Sequence, residues 1–110
     1  MIEQLRGLFV PMFRSNKLLK AAKGQSCMVQ IPNVCNRDNE TTVAAHSNQL
    51  KHGKGMGIKA HDCFIAWVCS DCHREIDQGK MSKEERNFYW QQGFERTLLA
   101  MFMLGIVLVA

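Results

Sequence analysis

Four cysteines form the most chemically informative pattern in this chain of 110 residues. Cys69 and Cys72 are separated by two residues, a spacing at which one turn of chain can present two thiolates to one ion. Cys27 and Cys35 lie upstream and complete the set of four sulfurs that zinc binds tetrahedrally. The pattern favours a zinc site over the alternative, four ordinary buried thiols. Cys63 is expected to be a core thiol.

Two histidines are the candidate catalytic residues. His46 ends a predicted strand, and His73 directly follows the last zinc cysteine. A strand, strand, helix unit held by zinc would bring both imidazoles to one cleft. One could then bind a divalent cation that polarises a phosphate while the other deprotonates water. The alternative is structural, with His46 only ending its strand and His73 hydrogen-bonding near the zinc site.

The elements that must position these residues include three helices. Ser15 is expected to cap a short basic helix that Gly24 ends. Ser70 is expected to cap a second helix that runs to about Asp77. A third, long helix follows the capping box formed by Ser82 and Glu85, and it is expected to end near residue 105.

Short apolar runs predict strands at residues 28–31, 41–46, 63–68 and 106–109. Together with the helices they predict an α+β fold. Residues 1–14 are interpreted as an N-terminal arm and residues 15–110 as a single domain. Trp67 and Trp90 are expected to lie in its core.

The length and composition favour a small domain that benefits from a bound metal. A chain of this size buries a modest core. Five cysteines without a basic, apolar leader favour a reducing cytoplasm and metal ligation over disulfides. The charge-free segment 97–110 is shorter than the roughly 20 residues of a membrane span, so we expect it to be core and expect no membrane contact. A structural or membrane-associated role depends on this tail alone.

Basic residues are concentrated in the first half of the chain. Residues 14–59 include eight basic and two acidic side chains, whereas residues 60–96 include five basic and seven acidic ones. A polyanion would therefore contact the first half. Its glycine-rich segment carries Lys51, Lys54 and Lys59, which could neutralise phosphates. A solvated, mobile loop is the alternative for this segment.

Several stretches of the sequence resemble a known family. They are residues 24–27, 31–36, 40–46 and 69–77. These stretches are similar to the YbcO-like family of phage and prophage proteins, described as nucleases. The run Cys69-Ser70-Asp71-Cys72-His73 after a strand-end His46 also resembles the zinc-containing HNH, or ββα-metal, endonucleases. The similarity covers roughly residues 17–106.

The resemblance implies a metal-dependent endonuclease that hydrolyses phosphodiester bonds in DNA. It implies a treble-clef zinc core in which the four cysteines hold a structural zinc ion. His46 would be the general base, and His73 would bind a catalytic cation, Mg²⁺ or Mn²⁺ or else Zn²⁺. Because the family comes from phages and prophages, the resemblance also implies a location in the cytoplasm of a bacterial host. It implies phage recombination or packaging proteins as partners.

The position before the proposed base departs from the HNH pattern. HNH enzymes often carry an acidic or histidine metal ligand there, whereas this chain has Ala45. The catalytic cation would then need another ligand, for which we expect Asp62, with His61 and Asn48 as alternatives. The competing hypothesis is a non-catalytic zinc module that binds DNA or a recombination partner, and Ala45 is its best support.

Overall fold

The computed structural model describes residues 12–110, and its centre is a two-stranded antiparallel sheet. Strand β1 (Val43–His46) pairs with β2 (Ile65–Val68), so that Val43 lies opposite Val68 and His46 lies opposite Ile65. All four side chains of β2 are buried, as its continuous apolar run predicts. Residues 1–11 of the predicted N-terminal arm lie outside the described residues.

Residues 12–110 include three α-helices. They are α1 (Asn16–Lys20), α2 (Ser70–Gln78) and α3 (Lys83–Met103), and short 3₁₀ turns cover Asn39–Thr41 and Leu50–His52. The predicted α+β class is therefore confirmed. The expected chain order of strand, strand and helix is present as β1, β2 and α2.

The helix ends follow their predicted capping residues with two corrections. Helix α1 ends at Lys20 with Ala21 as its C-cap, before the predicted end at Gly24. Ser15 accepts a hydrogen bond from the N–H of Leu18, and Ser82 forms the predicted capping box with Glu85. Helix α2, however, is capped by Cys69 and not by Ser70, because the Cys69 sulfur accepts the N–H of Cys72 at 3.4 Å. The first cysteine of the Cys69–Cys72 pair thus also starts the helix.

Two predicted strands are wrong. Residues 28–31 bend instead of extending, because Gln30 has a φ of 52° and its N–H turns back to the Cys27 sulfur. Residues 106–109 follow a turn at Gly105, whose φ is 74°. There the N–H groups of residues 106 and 107 donate to the Met101 carbonyl. Residues 28–31 thus turn back on Cys27, whereas residues 106 and 107 cap the end of α3, so neither segment forms a strand.

Helix α3 packs closely against the sheet and the cysteine-rich loop. The indole of Trp90 donates to the Ala45 carbonyl at 3.0 Å, and the Thr97 hydroxyl accepts the N–H of Trp67 at 2.9 Å. At Gly93 an added Cβ would lie 2.4 Å from Cγ2 of Val29. Glycine is therefore used inside this helix because nothing larger fits between it and the loop.

The apolar C-terminal segment is only partly core, contrary to expectation. Thr97 and Met101 are buried, but most of the large side chains around them are exposed, namely Leu98, Leu99, Phe102, Met103, Leu104, Leu108 and Val109. Among the described residues, no helix combines the length and the apolar character needed to cross a membrane.

Candidate functional site

The four cysteines of the predicted zinc set come together. The sulfur atoms of Cys27, Cys35, Cys69 and Cys72 all lie within 4.8 Å of one another. Those of Cys35 and Cys69 are 3.9 Å apart, close to the roughly 3.8 Å edge of a tetrahedron with zinc–sulfur bonds of about 2.3 Å. The donor set fits zinc, and four sulfurs leave no open position for a substrate.

Neighbouring sulfurs in the cluster shift thiol pKa values in opposite directions: the hydrogen bond with Cys27, together with burial, raises the pKa of the Cys72 thiol, and burial raises the pKa of the Cys35 thiol. Backbone N–H groups point at two of the sulfurs: Gln30 donates to Cys27 at 3.4 Å, as Cys72 does to Cys69. The hydrogen bond from Cys72, against the effect of burial, lowers the pKa of the Cys27 thiol to about 4. A thiolate is the form that binds metal.

Cys63 stands apart from this cluster. The expectation of a core thiol is wrong, because Cys63 is exposed. It precedes β2 without sharing the burial of that strand.

His46 and His73 line one cavity, which we call the histidine cavity. Its volume is about 340 Å³. His46 reaches it from the end of β1, and His73 from the first turn of α2. The other polar side chains around it are Ser47, Asn48, Lys54, Lys59 and Asp77. Imidazoles, a carboxylate and two lysines therefore surround a space of ligand size.

Asp62 serves His46 and does not line the histidine cavity. Its Oδ1 lies 2.7 Å from Nε2 of His46 and 3.3 Å from the Arg14 guanidinium, and its Oδ2 accepts the N–H of Ser15 at 2.7 Å. Protein donors occupy both oxygens. The geometry differs from the expected role as a cation ligand, because the carboxylate is already fully used inside the protein.

The charge state of Asp62 fixes the orientation of the His46 ring. Burial alone would raise the pKa of the Asp62 carboxyl. The hydrogen bonds from His46 and the Ser15 N–H, together with the charge of Arg14, bring that pKa below its ordinary value. Because an ionised carboxylate only accepts hydrogen bonds, Nε2 of His46 carries the proton. Nδ1 is then the nitrogen with a free lone pair.

Arg14 links the start of the described chain to this pair. Its guanidinium donates to the carbonyls of Ala60 at 2.6 Å and Lys59 at 2.9 Å. The Phe13 carbonyl in turn accepts the N–H of Asp62 at 3.0 Å. We call residues 13–15 the clip, since they hold the segment that carries Asp62. This role could not be predicted, because in the sequence Arg14 is one of 14 lysines and arginines.

On α2, His73 and Asp77 form a pair. Nε2 of His73 lies 3.1 Å from Oδ2 of Asp77, one helical turn away. Asp77 was missed as a site residue, although the spacing His-x₃-Asp on a predicted helix places both side chains on one face. Of the two alternative cation ligands, Asn48 lines the cavity. His61 instead accepts the N–H of Phe13 at 3.0 Å.

The three predicted DNA-binding lysines divide into two groups. Lys54 and Lys59 line the histidine cavity, whereas Lys51 is exposed and is not part of its lining. Their loop is anchored by His52, whose ring stacks on Phe64 with centroids 4.3 Å apart. The loop thus has an aromatic contact with the residue that precedes β2.

Comparisons with known proteins give the same family. The family model described as Putative nuclease YbcO matches residues 16–106. Putative nuclease YbcO of Escherichia coli (strain K12) and Putative nuclease ybcO of Enterobacteria phage 82 are each 48% identical to this chain over 61 residues. The match covers 56% of this chain and 62% of each relative, so the chain spans less than two thirds of their length.

A solved structure has the same fold. It is that of a putative bacteriophage protein from Escherichia coli str. K-12 substr. MG1655, and it is 32% identical to this chain. The similarity has a TM-score of 0.63 and covers 80% of this chain and 99% of the other. Because the family model matches most of this chain, the chain belongs to the YbcO family of putative nucleases.

Proposed function

We propose that the protein is a metal-dependent DNA endonuclease of the HNH, or ββα-metal, type. The observation that carries this proposal is the single cavity lined by His46, His73, Lys54 and Lys59. Hydrolysis of a phosphodiester needs an activated water and compensation for the negative charge that develops on oxygen. The histidine cavity has residues suited to each requirement.

His46 is the proposed general base. Its free Nδ1 accepts a proton from the attacking water, while its protonated Nε2 donates to Asp62 at 2.7 Å. The negative charge of Asp62 orients the ring and stabilises the imidazolium that results. We therefore assign Asp62 to positioning the base and not to binding the cation.

Three residues would hold the catalytic cation: His73, Asp77 and Asn48. They offer an imidazole nitrogen, a carboxylate oxygen and an amide oxygen, a donor set that suits Mg²⁺ or Mn²⁺ and also Zn²⁺. When bound, such a cation polarises the phosphate and stabilises the leaving oxygen. Asp77 supplies the acidic ligand that Ala45 cannot. Lys54 and Lys59 would seat the phosphate.

The cysteine cluster has a positioning role in this proposal. Cys69 caps α2 and Cys72 lies in its first turn, directly before His73. A zinc ion held by these sulfurs would fix the start of the helix and hence the direction of the His73 side chain. The zinc would be structural, because the four thiolates close its coordination shell.

A non-catalytic zinc module that binds DNA is the second candidate function. Ala45, buried where HNH enzymes often carry a metal ligand, favours it. For either function we propose the cytoplasm of a bacterial host as the location. Phage recombination or packaging proteins are the proposed protein partners, in keeping with a relative from Enterobacteria phage 82.

A plasmid-nicking assay with Mg²⁺ or Mn²⁺ tests the proposal. We expect the wild type to nick the plasmid, and His46→Ala and His73→Ala each to slow nicking by on the order of 10² to 10⁴. Arg74→Ala is the matched control, because Arg74 lies beside His73 on α2 but is exposed and pairs only with Asp71. It should leave the rate unchanged.

Two results would contradict the endonuclease. If His46→Ala nicks as fast as the wild type, His46 is not the base. If no cation supports cleavage while salt-sensitive DNA retardation persists, the protein is the binding module.

A further inference from the structure

A second cavity adjoins the histidine cavity. It lies between α1 and residues 40–44 and has a volume of about 650 Å³. Leu19 and Ala44 line both cavities, so the two share a wall. We call the second one the α1 groove.

The lining of the α1 groove combines an apolar floor with cationic side chains. Its apolar residues are Leu19, Ala22, Val43 and Ala44. Lys20 ends α1, Lys23 lies in the turn that follows it, and both are exposed beside one acidic residue, Glu40. Among the described residues, Lys20 and Lys23 take part in no ion pair, so their charge is available to a ligand.

The groove is open along the sheet. Strand β1 pairs with β2 on one side only, and within the described part of the chain no third strand covers its other side. Val43, near the start of β1, is nearly half exposed at the groove. An extended ligand can therefore run along β1, from His46 at its end to α1 at its start.

A nucleic acid strand has the chemistry that this lining would recognise. It carries one negative charge per nucleotide, and its sugars and bases offer apolar surface between the charges. Lysines beside an apolar floor complement both features. Lys54 and Lys59 at the adjoining cavity extend the same positive charge.

We infer that a DNA strand with its phosphate in the histidine cavity continues into the α1 groove, where Lys20 and Lys23 contact its flanking phosphates. Leu19, Ala22 and Val43 then contact its sugars or bases. This inference rests on the proposed nuclease function. It extends the DNA contact to α1 and the turn after it, which lie far in sequence from the loop that carries Lys54 and Lys59. Glu40 limits how tightly the groove can hold a phosphate.

Binding without cleavage tests the α1 groove. The probe is a fluorescent DNA oligonucleotide, and the full chain carries His46→Ala so that it is not cut. We expect Lys20→Ala with Lys23→Ala to lower affinity by on the order of tenfold and to reduce the slope of log K against log salt by about 2. Glu40→Gln should change affinity in the opposite direction, because it removes the one negative charge of the groove.

The matched control is Lys80→Ala with Lys83→Ala. Both lysines are exposed and line neither cavity, and replacing them removes the same net charge as replacing Lys20 and Lys23. If the Lys20 and Lys23 pair changes affinity and salt slope no more than this control, the inference is wrong.

A small chromogenic phosphodiester separates this inference from the proposed function. It is too short to reach the α1 groove, so in the chain with His46 intact the Lys20 and Lys23 changes should leave its turnover unchanged. If the wild type binds the oligonucleotide but hydrolyses neither substrate, the nuclease proposal fails while the binding groove stands. Loss of turnover with the lysine changes would instead place these residues in the catalytic machinery and overturn the inference.

Discussion

Asp62 is nearly inaccessible, with 2% of its surface exposed, yet its carboxyl is held in the ionised form. Donors from three parts of the chain converge on it: the His46 ring, the Arg14 guanidinium and the backbone of Ser15. Burying the charge of Asp62 costs free energy. That cost is offset because both oxygens of its carboxylate accept hydrogen bonds. The proposed base is therefore oriented by a buried carboxylate, while the Arg14 side chain that also contacts this carboxylate is partly exposed to solvent.

We predict that Asp62→Asn slows cleavage by about 10- to 100-fold without weakening DNA binding. The amide keeps the shape of the side chain but removes the charge that stabilises a protonated His46. For the same reason, the acid limb of the pH–rate profile should move to lower pH. Single-turnover cleavage across a pH series and fluorescence anisotropy measure the two effects.

Asp38→Asn is the control for this prediction. Asp38 is exposed and caps a 3₁₀ turn, a role that asparagine also fills. Equal loss of rate and of affinity in Asp62→Asn, with no change in the pH profile, would show a structural defect in place of a positioning role.

At the level of residues, the sequence predicted the groups whose type and spacing are local. The pair Cys69 and Cys72 and the adjacent His73 are read from a single turn of chain. Asp77 was missed although its spacing from His73 is also local. The role of Asp62 could not be predicted, because its partners at positions 14, 15 and 46 meet it only in the folded chain.

Among the elements, α3 depends on one small residue. Its buried Gly93 lies against Val29 of the cysteine-rich loop, and a Cβ there would also lie 3.1 Å from Cα of Val29. The helix thereby lies on the loop that carries Cys27, with no side chain between them. The contact couples the longest helix to the cysteine cluster.

We predict that Gly93→Ala destabilises the protein by about 1–3 kcal/mol, although alanine favours helix by roughly 1 kcal/mol over glycine. The clash with Val29 outweighs the propensity gain because backbone atoms as well as a methyl group must move. Urea unfolding measures the change. Leu99→Ala, on the exposed face of the same helix, should stay within about 0.5 kcal/mol. A stabilised Gly93→Ala variant would refute the close packing.

The clip, residues 13–15, is expected to influence cleavage because it holds the segment that carries Asp62. We expect Arg14→Ala to slow cleavage by about tenfold while DNA affinity changes little, because it frees the segment that carries Asp62. Arg14→Lys should recover only part of the rate, since an ammonium lacks the fork that bonds several oxygens at once. Single-turnover rates measure both. Equal rates for all three proteins would show that the clip does not position the base.

Capping signals predicted the starts of the first and third helices, whereas the four short apolar runs predicted two strands correctly, at β1 and β2, and two wrongly. Ser15, Ser82 and Glu85 marked their helices correctly. The runs at 28–31 and 106–109 have strand composition, but their backbones bond to a sulfur and to a helix end. Short apolar runs do not distinguish these outcomes.

For the whole molecule, stability is expected to depend on zinc. The core cluster around Val29 and Trp90 includes the buried sulfurs of Cys27, Cys69 and Cys72. A small domain has little free energy of unfolding in reserve, typically about 5–15 kcal/mol. A structural zinc ion contributes an amount of that order.

We predict one zinc ion per chain and loss of cooperative unfolding in Cys72→Ser or after chelation. A core of this size buries too little apolar surface to make up for the stability that is lost with the zinc ion. Metal analysis and thermal unfolding by circular dichroism are the measurements. Cys63→Ser is the matched control and should keep both zinc and stability, because Cys63 is exposed and outside the cluster. Zinc-free protein that unfolds cooperatively would contradict the prediction.

The family match and the residues that hold Asp62 begin at different positions in the chain. The family match begins at residue 16, whereas Arg14 and Ser15 lie just before it and bind Asp62. A shortened chain that starts where the family starts would keep every zinc ligand and both histidines of the cavity. It would lack the donors that hold the partner of His46. The smallest unit that folds and the smallest unit that works are therefore expected to differ by a few residues at this end.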